Sequence, residues 1–252
     1  MTFAQIQERI NRNIPLDFGE IFNNSIDLYK KSIVHGLVMQ LLIFVLILPF
    51  LFIIYLPFVV ALWTDPNNST VDPSAYEDVM SSFSLIYVVF FFIGILVIAT
   101  LSLLVHAGFF RILKRLDEGV ESKIGELFYY FKNPYLGRAF VLVLAIILIS
   151  VVAMLLFVLP LFFVMVPIAL INVIFAFNIE LSAGEIIKAS FNLGTKKWLI
   201  TFGLYFVCSI LAAIVGFLLC GIGSIVTAPF AYHPLYFIYK KAVGFETENI
   251  LK

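Results

Sequence analysis

The chain has 252 residues, 62% of them hydrophobic and only 13% charged, with sixteen Lys and Arg balanced by sixteen Asp and Glu. Soluble domains carry about 25% charged and about 45–50% apolar residues, so the composition excludes an ordinary water-soluble fold and indicates a polytopic membrane protein. The net charge is zero, so total charge by itself says nothing about partners; no nucleic acid is expected as one.

The first 32 residues are polar, with Glu8, Arg9, Arg12, Asp17 and Glu20, and the first apolar run begins near Ile33. No cleavable signal peptide is read there. Six segments then reach the roughly 20 apolar residues that a crossing helix needs. Ile33–Leu62 is long and carries Pro49 and Pro57, which predicts a tilt or kink. A loop, Thr64–Ser82, follows; its Asp65, Pro66, Asp72, Pro73, Glu77 and Asp78 read as a solvated turn. Glycosylation at Asn67 or Asn68 within it would need a eukaryotic secretory route. Next come Phe83–Phe110, Ala139–Leu159, Leu161–Phe177, Trp198–Leu219 and Ile222–Tyr239. The third and fourth are read as a hairpin broken at Pro160, because about 39 residues in one helix would span almost twice the hydrocarbon core. Trp63 and Trp198 stand at opposite span ends as interfacial anchors. Cys208 and Cys220 are about 18 Å apart along a helix, too far for a disulfide.

None of the six segments contains Asp, Glu, Lys or Arg. With six crossings, all sixteen basic residues fall on one face, and the Thr64–Ser82 loop and the turns at Pro160 and Cys220–Gly221 on the other carry none. The positive-inside rule makes the basic face cytoplasmic, with both termini inside.

A short motif divides the chain. Gly19-Glu20-Ile21, Gly125-Glu126-Leu127 and Gly184-Glu185-Ile186 each open an amphipathic stretch that ends in basic residues. The first and third copies also share Ser25 and Ser190, Leu28 and Leu193, and the Lys pairs Lys30-Lys31 and Lys196-Lys197. Apolar residues recur at helical spacing: Phe18, Ile21, Phe22 and Ile26; Ile124, Leu127, Phe128 and Phe131; Ala183, Ile186, Ile187 and Phe191. The expected class is therefore all-α: one integral membrane domain with six transmembrane helices as three hairpins, each preceded by a cytoplasmic interfacial amphipathic helix. The repeat units run over about 17–115, 122–178 and 182–244.

Asp17-x-x-Glu20 and Ser182-x-x-Glu185 read as capping boxes, with Ser122 one residue out of register for Glu126. The sharper alternative is three carboxylates converging on a pseudo-threefold axis around a cation or substrate.

The run Leu159-Pro160, Asn178, Gly184-Glu185, Ser190, Lys196-Lys197-Trp198, Gly221-Ile222-Gly223, Pro229 and Tyr239 resembles a broad bacterial superfamily. It comprises six-helix membrane proteins of unknown function and the membrane domain fused to some glycerophosphodiester phosphodiesterases. The resemblance covers about the last hundred residues. It implies a bacterial cytoplasmic-membrane location and a helper or lipid-related role, without the phosphodiesterase activity.

His35, His106 and His233 are the ionisable residues inside the apolar segments, and Gln40 and Asn172 are isolated polar residues there. Intramembrane polar groups hydrogen-bond neighbouring helices or contact a substrate. Three imidazoles would also suit a metal or a proton relay, but no His-x-x-x-His spacing supports a metal, and no metal, cofactor or catalytic residue is expected. Lys30, Lys31, Arg138, Lys196 and Lys197 are candidate contacts for anionic headgroups. Ser209, Ala212, Ala213 and Gly216 read as a small-residue packing stripe.

Three functions follow: an accessory, scaffold or lipid-binding subunit whose partners are lipids or another membrane protein; an uncoupled transporter or channel for a small or hydrophobic solute; and a histidine-dependent lipid enzyme. The second requires a cavity lined by some of Gln40, His106, Asn172 and His233. The third requires at least two histidines at a common point.

Overall fold

The computed structural model describes residues 1–64, 73–156, 159–219, 221 and 223–245. The loop positions 65–72, with Asn67 and Asn68, as well as Cys220, Ile222 and Lys252, lie outside the described residues. Among the described residues every regular element is helical. The polar start of the chain is itself a helix, α1 (Phe3–Asn11), which buries Ile6 and Ile10. Its signal was present in the sequence as Thr2-x-x-Gln5: the Gln5 amide donates to Thr2 Oγ1 at 3.4 Å and the Thr2 amide to Gln5 Oε1 at 2.9 Å.

Two long antiparallel helices follow, α2 (Phe18–Thr64) and α3 (Pro73–Asp117). Next come a 3-10 helix (Ile124–Phe128), α4 (Asn133–Leu155), α5 (Leu159–Phe177), α6 (Ala183–Lys196) and α7 (Trp198–Leu218). Five stretches are long and apolar enough to cross a membrane: Phe18–Tyr55, Val88–Asp117, Asn133–Leu155, Pro160–Phe177 and Trp198–Leu218. Their outward faces expose Phe44, Phe52, Phe90, Leu148, Phe206 and Phe217. That much contiguous apolar surface suits hydrocarbon and not water.

The segment expected as a sixth span, Ile222–Tyr239, is no single long helix. It is α8 (Gly223–Thr227), a 3-10 turn (Ala228–Ala231) and α9 (Tyr232–Ala242). Pro229 and Pro234 have no N–H to give to the preceding turn, which favours the tighter 3-10 piece. α9 buries every residue from His233 to Tyr239 and packs against α2, α3, α5 and α7. A helix buried all round belongs to the core of a fold, and α9 is a core element enclosed by these four helices.

The three Gly-Glu stretches are locally different. The first is continuous with its span: no proline interrupts residues 18–48, so α2 runs straight from the amphipathic stretch into the apolar one. The second is a five-residue 3-10 helix in which Leu127 is buried while Ile124 and Phe128 are exposed, so its expected apolar stripe is not a buried face. The third, α6, packs its buried residues Ile186, Ala189, Leu193 and Gly194 against protein. It runs antiparallel to α5: a Cβ on Gly194 would lie 2.8 Å from Pro167, and the Trp198 ring stacks on Phe163 with centroids 5.3 Å apart. The apolar face of α6 thus meets a neighbouring helix, where an interfacial helix would meet lipid. The first and third copies still match in detail. Ile21 and Ile186, Ser25 and Ser190, and Leu28 and Leu193 are all buried. Both serines donate to the carbonyl four residues back, at 2.7 and 2.8 Å.

Candidate functional site

A cavity of about 380 Å³ lies where α3, α4, α5, α7 and α9 meet. Each wall is one face of a helix. α3 presents Ala99, Ser102, Leu103 and His106; α4 presents Val143, Ile146 and Ile147; α5 presents Met165, Ile168, Ala169 and Asn172. These sets follow the i, i+3, i+4, i+7 spacing of a helical stripe. Tyr205 of α7 and Tyr232 and Leu235 of α9 complete the lining, which contains no charged side chain.

Polar groups concentrate at His106. Its Nδ1 lies 2.7 Å from the Ser102 carbonyl oxygen, which can only accept, so Nδ1 carries the proton. Nε2 is then an acceptor, and the Tyr232 hydroxyl, 2.8 Å away, donates to it. That leaves the Tyr232 oxygen with lone pairs beside the cavity. Asn172 lines the same space, and its side chain makes no hydrogen bond to the described residues. The Tyr205 and Tyr232 side chains form a shared wall with a second hollow of about 310 Å³, lined further by Ser209, Ala212, Ala213, Ser224 and Thr227. Three members of the expected packing stripe therefore border open space. Gly216 is in tight contact, since a Cβ there would lie 2.8 Å from the Ser224 backbone.

The remaining sequence candidates lie elsewhere. His233 is fully buried between α2 and α9, with Nδ1 donating to the Pro229 carbonyl at 3.0 Å and Nε2 2.7 Å from Ser32 Oγ. His35 Nε2 reaches the Ser122 carbonyl at 3.0 Å, which ties α2 to the loop before the 3-10 helix. The three imidazoles thus have three separate sets of partners. Among the described residues no group of three His, Cys, Asp or Glu side chains is arranged to hold a metal ion. Gln40 is half-buried on α2 and does not line the cavity.

The glutamates also part company. Glu185 forms a complete capping box with Ser182, its Oε2 2.8 Å from the Ser182 amide and Ser182 Oγ 3.3 Å from the Glu185 amide. These hydrogen bonds hold the Glu185 carboxyl below its usual range. The Glu20 amide is capped by Asp17 Oδ1 at 2.6 Å, while its own side chain pairs with Lys241 at 2.5 Å. Glu126 caps nothing: it accepts from Arg111 Nε at 2.6 Å and Arg115 Nη1 at 3.0 Å. The three carboxylates have different partners and do not converge.

Among the headgroup candidates, Lys31 is exposed, and Lys30 is exposed beside Asp27 at 3.0 Å. Arg138 donates to the Ile179 carbonyl. Lys196 reaches Asn11 at 2.5 Å, and Lys197 is buried with its Nζ on the Ile14 carbonyl at 2.6 Å. Burial also pushes the Lys197 ammonium below its usual pKa. Lys196 ties the end of α1, and Lys197 the segment after it, to the end of α6, so Lys197 is a structural tether here and no surface contact.

Tyr205, Tyr232 and Ser102 were not singled out by sequence reasoning. Ser102 was accessible to it, one helical turn from His106. The two tyrosines carry no local signal that distinguishes them from other interfacial or core aromatics.

No protein-family model, no curated protein and no solved structure matches this chain.

Proposed function

We propose that this protein is an accessory membrane subunit that binds a lipid-like amphiphile in the cavity between α3, α4, α5, α7 and α9. One observation carries the reading: an apolar cavity of about 380 Å³ with a polar floor of His106, Tyr232 and Asn172 and no charged lining residue. Its volume falls within the roughly 300–1,000 Å³ of small-molecule sites. Burying an unpaired charge in such surroundings is costly, so the part of the ligand that enters is uncharged: a hydroxyl, carbonyl or amide on a hydrocarbon body. The Tyr232 oxygen is available to accept, and the Asn172 amide to donate and accept.

In this reading the chain makes six crossings in three units, with both termini and the Gly-Glu stretches on the cytoplasmic side of a bacterial inner membrane. The segregation of the basic residues supports it. So does length: the helical segments of Gly223–Ala242 together cover about 30 Å, enough for one hydrocarbon core. The resemblance to six-helix bacterial membrane proteins points the same way. The exposure of Lys30 and Lys31 supports contact with anionic headgroups, and a membrane-protein partner is compatible with the extensive exposed apolar surface.

The test is native mass spectrometry of the protein released from its membrane, with Asn172→Leu and Tyr232→Phe variants alongside. Retained neutral lipid that both variants lose is the expected result. A wild-type protein that retains neither lipid nor partner, with stability unaffected by added lipid, would sink the proposal. Solute flux through protein-containing liposomes, abolished by the same variants, would favour the transporter reading instead.

A further inference from the structure

The geometry points to a second binding site, separate from the cavity, for a phosphoester that also carries an O–H or N–H donor. The site is a pocket of about 310 Å³ between the end of α3, the Tyr129–Tyr130 turn and the end of α5. It shares no lining residue with the central cavity.

Two features define what fits. The first is charge. Arg111 and Lys114 both line the pocket. Arg111 is paired with Glu126, but Glu126 is shared with Arg115, so among the described residues two guanidinium groups face one carboxylate and one positive charge is left over. Lys114 sits 3.8 Å from Glu118, a long contact at an exposed carboxylate, with its Nζ 4.8 Å from the Phe245 ring centroid. Cations against aromatic faces at a partly buried wall suit an anionic group with fixed geometry.

The second is an unmet acceptor. Asn178 is 2% exposed and lines the pocket. Its Nδ2 donates to the Ile174 carbonyl at 2.9 Å and to the Tyr239 hydroxyl at 2.7 Å. Flipping the amide would set its oxygen against the Ile174 carbonyl, so the orientation is fixed. Oδ1 is buried and has no hydrogen-bond partner among the described residues. A buried acceptor without a donor is uncommon in native folds and calls for a partner. Inorganic phosphate still carries an O–H near neutral pH, so it serves as the control for the ester, and Glu180 on the rim disfavours a bare polyanion. A phosphoester with a hydroxyl or ammonium group meets both conditions, whether it is a lipid headgroup or a soluble ester.

The experiment is thermal denaturation of the purified full chain in neutral detergent with four additives at matched concentration. These are short-chain phosphatidylglycerol, short-chain phosphatidylcholine, glycerol 3-phosphate and inorganic phosphate. Phosphatidylcholine carries the phosphate without a donor. Phosphatidylglycerol is expected to raise the melting temperature and phosphatidylcholine to do so far less. An equal shift with glycerol 3-phosphate identifies the soluble ester as sufficient; a shift with the lipid alone assigns the headgroup. Lys114→Met, at a side chain whose one ion pair among the described residues is long, is expected to weaken binding about tenfold, the loss of one charge-assisted contact. Asn178→Leu is expected to erase the preference for the donor-bearing lipid. Equal shifts with both lipids, a shift with inorganic phosphate equal to that with the phosphoesters, no shift with any additive, or unchanged affinity in Lys114→Met would overturn the inference. The central cavity's neutral-lipid test is read on different residues and can fail independently.

Discussion

Gly108 sits on α3 where the 3-10 helix crosses it, and an alanine there is predicted to destabilise the fold. A Cβ at this position would lie 2.4 Å from the Leu127 carbonyl oxygen and 2.7 Å from the Leu127 carbonyl carbon and Cα. The closest favourable carbon–oxygen approach is about 3.3 Å, so the contact is short by about 0.9 Å. Both sides are backbone, and no side chain can rotate to relieve the clash. The 3-10 helix would have to move off α3, stretching the ion pairs of Glu126 to Arg111 and Arg115, now 2.6 and 3.0 Å long. Overpacking costs about 1–3 kcal/mol, and a backbone clash belongs at the upper end. Replacing glycine in a helix interior returns about 1 kcal/mol, which leaves a net loss of about 2 kcal/mol. Gly137→Ala in α4 is the matched control, because its Cβ would meet nothing within 4 Å and only the propensity gain remains. Melting of both variants in one detergent, followed by intrinsic fluorescence, reads the difference. Gly108→Ala should melt below wild type and Gly137→Ala at or above it. A Gly108→Ala protein as stable as the control would refute the close approach of α3 and the 3-10 helix.

Three further outcomes are expected. Glu126→Gln leaves Arg111 and Arg115 without a counter-charge and should cost about 1–2 kcal/mol in denaturant unfolding. That is less than the roughly 3–5 kcal/mol of a fully buried pair, because these groups are partly exposed and screened. Thr227→Val removes the hydroxyl that donates to the Ala212 carbonyl at 2.7 Å, bridging the 3-10 turn region to α7; a loss of about 1 kcal/mol in the same assay is expected, and none would mean the bridge is dispensable. The Glu185 carboxyl titrates below its ordinary 4.5 because Ser182 holds its ionised form. Its contribution is therefore present above about pH 4.5 and lost as pH falls through the lowered value. Ser182→Ala should be less stable than wild type at neutral pH, with the gap closing in acid; a gap that widened in acid would contradict the assignment.

How far the sequence could be read depended on whether a feature was local. The Ser182–Glu185 capping box was legible because a cap is decided within four residues. The same local logic failed for Glu126, whose partners Arg111 and Arg115 belong to another helix. Asn172 and His106 could be named as polar residues in apolar helices. That they border one cavity while His233 and Gln40 do not depends on the rotation of each helix about its axis, which packing sets. Lys197 read as a surface cation because it follows Lys196 near a helix end, yet the segment after α1 covers it.

The sequence by itself determined the all-helical class, the first five of the six expected apolar spans and the grouping of basic residues between them. These follow from hydropathy and from the need to satisfy every backbone polar group in a medium without water. Tertiary structure decided the rest. It made the last apolar segment a buried core element and laid α6 along α5. It also left room beside His106, Tyr232 and Asn172. A residue's spacing along the chain fixes which face of its helix it occupies, but only the neighbouring helices decide whether that face meets lipid, protein or an open cavity.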